Sequence, residues 1–176
     1  MPAVVVDTSV LISLAAGEQF SLLHDFYGTV FIPPEVWNEL AASTKPFGLP
    51  EARIGLQAGW LQVQPPAPPS LDRVRSLPFA LQPGELEAIA LALDLTGALL
   101  VVDDAQGRRA AQTLGLNYTG TLGILLRAKA ERRIPALRPV LELLKQRTSF
   151  WLSEPVYQAA LTQAGEASGV PPDHHS

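Results

Sequence analysis

The stretch Ala3-Val4-Val5-Val6-Asp7-Thr8-Ser9 decides what kind of fold this chain adopts. A short, uninterrupted run of valines predicts a strand buried on both faces, as in the middle of a parallel sheet. Asp7 would then stand at the carboxyl end of that strand, where open α/β sheets bind their ligands. A buried carboxylate needs a cation, a polar partner or water. The first question about function is therefore what compensates the charge of Asp7.

The same pattern of an apolar strand followed by an acid returns later in the chain. Residues 98–102 are apolar and end in Asp103-Asp104, and Pro83-Gly84-Glu85 opens a preceding helix that is apolar nearly all round. Alternating strands and helices predict an α/β fold with right-handed crossovers and a mainly parallel sheet. Three further strands are expected, at residues 29–32, at residues 60–63 and near Tyr118.

Length and composition indicate one domain. The chain has 176 residues, of which 47% are hydrophobic, enough for a substantial core. Pro65, Pro66, Pro68 and Pro69 predict a stiff extended segment, which we interpret as a loop within that domain. We expect a single domain over residues 1–165, with a helical extension at about 121–165 and a disordered tail at 166–176.

Composition also excludes several classes of protein. The chain has no Cys, so a metal would need oxygen or His ligands. No apolar run approaches the ~20 residues that span a bilayer, and no signal-peptide pattern opens the sequence, so we expect a cytoplasmic protein with no membrane association. A net charge of −4 argues against a general nucleic-acid coat protein. It is compatible with an enzyme that holds an acidic metal site beside local Arg clusters.

Four carboxylates lie at or near the ends of strongly apolar elements: Asp7, Glu39, Glu85 and Asp103. Mg²⁺ and Mn²⁺ prefer oxygen ligands and tolerate several waters, so clustered carboxylates suit them. Each acid also has a purely structural interpretation. Asp7 is equally consistent with capping the helix that follows it, and a lone Glu on a helix is usually solvated. An acid in a first helical turn suits the helix dipole, and a pair after a strand suits a turn.

Helical geometry separates Glu85 from Glu87. Two residues along a helix correspond to roughly 200° of rotation, so both side chains cannot face one pocket. Glu87 aligns with Asp94 two turns later, which suggests a solvated stripe, whereas Glu85 aligns with an apolar row. Glu85 is therefore the preferred inward acid, and Glu87 is the weaker candidate.

The strand that ends in Asp103-Asp104 offers two acids, and alternation along the strand does not choose between them. Asp103 is preferred because it is the first residue after the valines, with Asp104 as the weaker candidate. Arg108 and Arg109 follow closely and are candidates for contacting a partner that carries phosphates.

A second basic group is formed by Arg127, Lys129, Arg132 and Arg133. Either basic group is also consistent with an ordinary solvated helix face. Trp37, Trp60 and Trp151 are candidates for base stacking, although a Trp more often lies in a core or an interface.

The order of these motifs resembles that of PIN-domain nucleases, including those similar to VapC toxins. The resemblance rests on Val-Val-Asp-Thr-Ser at 5–9, an acid on the helix after Pro33-Pro34, Gly-Glu-Leu-Glu-Ala-Ile-Ala-Leu-Ala at 84–92, Val-Val-Asp-Asp-Ala-Gln-Gly-Arg at 101–108 and Gly-Thr-Leu-Gly-Ile-Leu at 120–125. It covers about residues 3–165. It implies a three-layer PIN-like α/β fold, with a central mainly parallel sheet flanked by helices and extra C-terminal helices.

The resemblance also implies a site of three or four acids that binds Mg²⁺ or Mn²⁺ and cleaves RNA. By position the catalytic and metal-binding acids are Asp7, Glu39, Glu85 and Asp103, and the supporting hydroxyls are Thr8 or Ser9 together with Thr121. In the toxin branch the third acid is often Asp, whereas this chain has Glu85.

The function that follows from the resemblance is a metal-dependent endoribonuclease that hydrolyses RNA phosphodiester bonds. Many relatives are toxins of toxin–antitoxin pairs, so a small antitoxin protein and a homodimer are the implied partners besides RNA. The alternative is a catalytically weak or inactive PIN-like module that serves protein–protein or RNA binding.

Overall fold

A computed structural model describes residues 2–166, which form five strands and ten helices. The strands are β1 (Val4–Val6), β2 (Val30–Ile32), β3 (Leu61–Val63), β4 (Leu99–Val101) and β5 (Asn117–Thr119). The helices are α1 (Thr8–Ala16), α2 (Leu22–Tyr27), α3 (Pro34–Ala42), α4 (Leu49–Ala58), α5 (Pro68–Arg75), α6 (Pro83–Asp94), α7 (Ala105–Thr113), α8 (Thr121–Ala130), α9 (Arg138–Arg147) and α10 (Glu154–Gln163).

The five strands form one parallel sheet in the order β3-β2-β1-β4-β5. The valine strand β1 is central, because Val5 pairs with Phe31 on one side and with Leu100 on the other. All three valines are buried, as expected for a strand covered on both faces. The prediction of a three-layer α/β fold with a parallel sheet flanked by helices is confirmed.

The strand order reverses between β1 and β4. From β1 the chain builds outward through β2 and β3, and it then returns to place β4 on the other side of β1. Just beyond β1, the backbone N–H of Asp7 still donates to the carbonyl oxygen of Val101, at 3.0 Å. The residues that follow β1 and β4 therefore emerge side by side at the switch point, where such sheets bind ligands.

Helix α6 is the main cover of one sheet face, where it contacts β1 and β4. Val5, Leu100 and Val102 belong to one buried cluster with Ile89 and other apolar residues of α6. Alternate residues of a strand point to opposite faces. The face that carries Val5 and Val102 is therefore the α6 face, which matters for the acids that follow β4.

The proline segment differs from the sequence prediction. Pro68 and Pro69 are the first residues of α5, so the prediction of an extended conformation is wrong for these two. The first N–H groups of a helix have no partner within the helix, so a missing N–H costs little there, and the fixed φ of proline already suits the helix. The sequence analysis also missed α4, where Glu51 accepts a hydrogen bond from the backbone N–H of Gly48 at 2.8 Å.

Asp94 is exposed, as its place on a solvated stripe predicts, and it is also part of a helix cap. Its Oδ2 accepts a hydrogen bond from the backbone N–H of Ala67 at 2.7 Å, and its Oδ1 accepts one from the Ser70 hydroxyl. Ala67 immediately precedes α5, and Ser70 lies in its first turn. A carboxylate from the end of α6 therefore stabilises the start of α5, an arrangement that helical spacing within α6 does not reveal.

The chain divides into two units between Thr121 and Leu122. The second unit contains α9 and α10 on either side of Phe150-Trp151, within the range of the predicted helical extension. In this unit Glu166 accepts hydrogen bonds from the backbone N–H groups of Leu137 (2.6 Å) and Arg138 (3.1 Å) and from Lys129 Nζ (3.2 Å). Burial alone would raise the pKa of Glu166, but these hydrogen bonds lower it.

The predicted disordered tail covers residues 166–176. Glu166 is held by the contacts above, and residues 167–176 lie outside the described residues. Among the helices of residues 2–166, none combines the length and apolar character that a membrane span requires.

The Asp94 cap predicts a stability effect. Asp94→Ala should lower the free energy of unfolding by about 1 kcal/mol, because α5 loses a helix cap. Asp72→Ala is the matched control on α5, since Asp72 is exposed and forms only an exposed 3.6 Å ion pair with Arg75. This control should change stability by less than about 0.5 kcal/mol. Urea unfolding measures both, and equal effects of the two variants would contradict the assignment.

Candidate functional site

Asp7 is a buried carboxylate at the switch point, with 6% of its surface exposed. It occupies the N-cap position of α1, but its side chain makes no capping hydrogen bond. The Ser9 hydroxyl donates to Oδ2 at a long 3.5 Å. Burial is the main reason why the pKa of Asp7 is raised to about 7, and the neighbouring carboxylate charges raise it further. A backbone hydrogen bond from Thr8 lowers this pKa but does not offset the rise. Capping of α1 therefore does not account for this side chain.

Glu85 is the buried acid of α6, with 4% of its surface exposed. The backbone N–H of Gln82 donates to its Oε1 at 3.3 Å, so one oxygen serves the start of the helix. Burial raises the pKa of Glu85 to about 8, and the charges of Asp104 and Asp7 contribute. Glu87 is half-buried beside Glu35, and burial raises its pKa as well.

Glu39 connects the starts of two helices. The Thr8 hydroxyl at the start of α1 donates to its Oε2 at 2.5 Å. The backbone N–H of Gly84 in α6 donates to its Oε1 at 2.7 Å. Thr8 is thus the hydroxyl that holds the Glu39 carboxylate, whereas Ser9 is exposed and contacts Asp7.

Asp103 and Asp104 have different partners. Asp103 accepts hydrogen bonds from the backbone N–H (2.8 Å) and hydroxyl (2.7 Å) of the fully buried Thr121. Asp104 Oδ1 caps α7 by accepting from the N–H groups of Gln106 (2.8 Å) and Gly107 (3.2 Å).

The alternation of side chains along the strand explains why Asp103 and Asp104 have different partners. Val102 lies on the α6 face, so Asp104, two residues later, returns to the side of Glu85. The charge of Asp104 raises the pKa of Glu85, while both Asp103 and Asp104 act on Asp7.

The acids form one electrostatically coupled group, because the charges of Glu39, Asp103 and Asp104 all raise the pKa of Asp7. None of the ion pairs within residues 2–166 involves any of these acids. In the same residues no three His, Asp or Glu groups are placed to hold a metal ion. The donor set nevertheless fits Mg²⁺ or Mn²⁺: every candidate donor is a carboxylate oxygen, and neither buried acid forms an ion pair within residues 2–166.

Arg108 is the cation that lies beside the acids. Its Nε donates to the carbonyl oxygen of Val102 at 3.2 Å, and its guanidinium carbon lies 5.9 Å from the centre of the Tyr118 ring. Its Nη2 and the Asp103 carboxylate both lie against Gly120. Arg109, the next residue, is exposed.

The second basic group lies in the other unit. Arg127 forms an ion pair with Glu131 at 2.5 Å, and Lys129 binds Glu166. Arg132 and Arg133 are exposed. Arg127 and Lys129 thus already engage acids of their own unit, whereas Arg108 engages only a carbonyl and an aromatic ring in the contacts described above.

The three tryptophans differ in surroundings. Trp60 stacks on His24 with ring centres 5.2 Å apart, and Trp37 is half-buried. Trp151 is 78% exposed and lines a cavity of about 350 Å³ in the second unit with Phe150, Tyr157 and other residues. Only Trp151 among the three is exposed enough to stack on a ligand.

Sequence reasoning missed three glycines that contact the acids. Gly84 lies against Glu39, Gly107 against Glu85 and Gly120 against Asp103. A signal was present for two of them, since Gly84 and Gly107 fall inside predicted helices, where glycine is unfavourable relative to alanine.

The model of the PIN domain family matches residues 3–166, which is nearly the whole chain. No curated protein matches the sequence.

The raised pKa values predict how stability depends on pH without metal. An acid whose pKa rises on folding binds more protons in the native state than in the unfolded chain, so stability falls as pH rises between the two values. For Asp7 and Glu85 that window runs from about 4 to about 8. Asp7→Asn should therefore gain thermal stability relative to the wild type as pH increases across this window.

The measurement is a series of melting temperatures in EDTA from about pH 5 to about pH 8. The exposed Asp25→Asn variant is the control, and its difference from the wild type should stay constant. A pH-independent difference for Asp7→Asn would contradict the burial effect.

Proposed function

The chain belongs to the PIN-domain family, and from this premise we propose that it is a metal-dependent endoribonuclease that hydrolyses RNA phosphodiester bonds. PIN domains have a nuclease-type fold and typically use divalent metals. The observation that carries the proposal is the burial of Asp7 and Glu85, coupled to three further carboxylates, where the carboxyl ends of β1 and β4 meet. Chain stability alone does not favour such a concentration of negative charge.

The acids proposed to hold Mg²⁺ or Mn²⁺ are Asp7, Glu39, Glu85 and Asp103, with Asp104 and Glu87 as weaker candidates. The bound ion would activate water and stabilise negative charge on the phosphate. Asp104 gains support from its coupling to Glu85, whereas Glu87 lies toward Glu35. In the described residues no three acids already surround one point, so ion binding requires side-chain rotation.

The chain's own residues prepare the acids for this role. Thr8 holds one oxygen of Glu39, and Thr121 holds both oxygens of Asp103. A carboxylate oxygen accepts more than one hydrogen bond or ligand, so these contacts orient the acids without using up their capacity. Asp7 and Glu85 contribute the charge that is least compensated by the protein.

We propose Arg108 as the residue that binds RNA phosphate beside the acids. Its contacts with Val102 and Tyr118 fix the guanidinium near Asp103. A fixed planar guanidinium suits phosphate oxygens. Arg109 extends the same surface, while Arg127 and Lys129 are weaker candidates because they engage Glu131 and Glu166.

The proposed partners beyond RNA are a second copy of the chain and a small antitoxin protein. The resemblance to toxins of toxin–antitoxin pairs supports both, and the exposed Trp151 offers apolar contact area. Leu125, a further candidate for such contacts, is fully buried. Light scattering of the purified protein tests the homodimer.

A binding module without catalysis is the second candidate function. The specific observation in its favour is that no three acids in the described residues are placed to hold an ion. Calorimetry with Mn²⁺ discriminates the two functions. Heat of binding that disappears in Asp7→Asn supports the nuclease, whereas absence of binding by the wild type supports the module.

Removal of a proposed metal ligand should abolish cleavage without unfolding the protein. Asp7→Asn and Glu85→Gln should each reduce Mn²⁺-dependent cleavage of single-stranded RNA by more than about 100-fold, because each removes a negative ligand. Both variants should remain folded by circular dichroism, and the exposed Asp25→Asn should cleave normally. Undiminished cleavage by Asp7→Asn would overturn the assignment.

Loss of Arg108 should weaken RNA binding through one phosphate contact. In the Asp7→Asn background, which binds without cleaving, Arg108→Ala should lower affinity and reduce the slope of log K against log salt by about 0.7. Arg53→Ala, an exposed cation on α4, is the control and should change neither quantity. Fluorescence anisotropy at several salt concentrations measures both, and an unchanged slope for Arg108→Ala would exclude the contact.

A further inference from the structure

Three glycines occupy positions where a methyl group would collide with a candidate acid. A Cβ built on Gly84 would lie 2.7 Å from Cδ and Oε1 of Glu39. One on Gly107 would lie 2.9 Å from Cγ2 of the buried Val102 and 3.0 Å from Oε2 of Glu85. One on Gly120 would lie 2.6 Å from Oδ1 of Asp103 and would also collide with Nη2 of Arg108.

Backbone conformation does not explain these glycines. The glycines with positive φ are Gly28, Gly48, Gly59, Gly97, Gly115 and Gly165, and the three against the acids are not among them. Gly84 and Gly107 lie within α6 and α7, where alanine is preferred over glycine by the helix itself. The reason for glycine must therefore come from the neighbouring atoms.

At Gly84 the three nearest atoms all belong to Glu39, whereas a Cβ on Gly107 would also meet Val102 and one on Gly120 would also meet Arg108 and the carbonyl oxygen of Val102. Gly84 supplies both space and a backbone hydrogen bond to Glu39, at 2.7 Å. Gly107 supplies space to Glu85 while its N–H serves Asp104, at 3.2 Å. By contrast, a Cβ on Gly55 would meet Trp60 and Leu61, so that glycine serves packing.

We infer that Gly84, Gly107 and Gly120 are positioning residues that seat the carboxylates of Glu39, Glu85 and Asp103 against the backbone beside Asp7. The effect of these glycines on metal binding rests on the proposed function, whereas their contacts with the carboxylates do not. At Gly84 an added methyl group would push the Glu39 carboxylate away at little cost in stability, because the group that must move is the end of a side chain. The expected result is a folded protein with a displaced ligand.

A double-mutant cycle in metal-free buffer tests the seating. The four proteins are the full-length wild type, Gly84→Ala, Glu39→Ala and the double variant, compared by urea unfolding. In the Glu39→Ala background Gly84→Ala should increase the folding constant by about twofold or more, since alanine favours the helix. With Glu39 present the gain should be absent, giving a coupling of about twofold or more. Equal effects of Gly84→Ala in both backgrounds would overturn the seating of Glu39.

Mn²⁺ calorimetry tests the consequence for the site. Gly84→Ala should weaken Mn²⁺ binding by about tenfold or more. Glu39→Asp should restore part of that affinity in the Gly84→Ala background, because the shorter side chain needs less room, yet weaken binding in the wild-type background. If the losses of Mn²⁺ affinity caused by Gly84→Ala and Glu39→Asp simply add in the double variant, the positioning role would be contradicted.

Gly55→Ala is the matched control for a glycine that serves packing. It should lower the melting temperature through the collision with Trp60, and the folded protein should keep its Mn²⁺ affinity. Equal loss of Mn²⁺ affinity in Gly55→Ala and Gly84→Ala would mean that general destabilisation causes the loss, and would contradict the positioning role of Gly84. Absence of Mn²⁺ binding by the wild type would overturn the proposed function, and the stability cycle would still decide the seating.

Discussion

The burial of Asp7 at the end of the central strand is the constraint on which the rest of the site depends. Its carboxylate lies at the switch point between β1 and β4, where the sheet order brings two chain segments out side by side. Burial disfavours its charged form, and no cationic side chain of the described residues forms an ion pair with it. Glu85 repeats the situation from α6. The proposal of a cation site rests on the presence of these two acids together.

The surrounding contacts divide the acids into two kinds. Glu39, Asp103 and Asp104 each accept good hydrogen bonds from threonines or backbone N–H groups, which fix their directions. Asp7 and Glu85 have longer contacts, at 3.5 and 3.3 Å, and raised pKa values. The first kind shapes the edge of the site, and the second kind holds the charge that most needs compensation. Glycines at close approach and Arg108 complete this arrangement.

The errors of the sequence analysis have a common physical origin. Pro68 and Pro69 suggested an extended segment, but they form the first turn of α5. N–H groups in a first turn have no partner within the helix, so proline is tolerated there. Helical spacing placed Asp94 on an exposed stripe but did not reveal its capping role, because its partners lie at the start of α5. Asp103 and Asp104 could not be separated until the pairing of Val102 with the α6 face was known. Each error concerned contacts between elements that are distant in the chain.

The sequence by itself determined the α/β class, the five strands and the identity of the acids at the ends of β1 and β4, because runs of apolar residues and their spacing are local properties. It also separated Glu85 from Glu87, since rotation along one helix is fixed. Only the tertiary structure decided that Thr8 holds Glu39, that Thr121 holds Asp103 and that Gly84 leaves room for a carboxylate. These contacts join residues far apart in the chain, and their distances depend on how helices and strands pack.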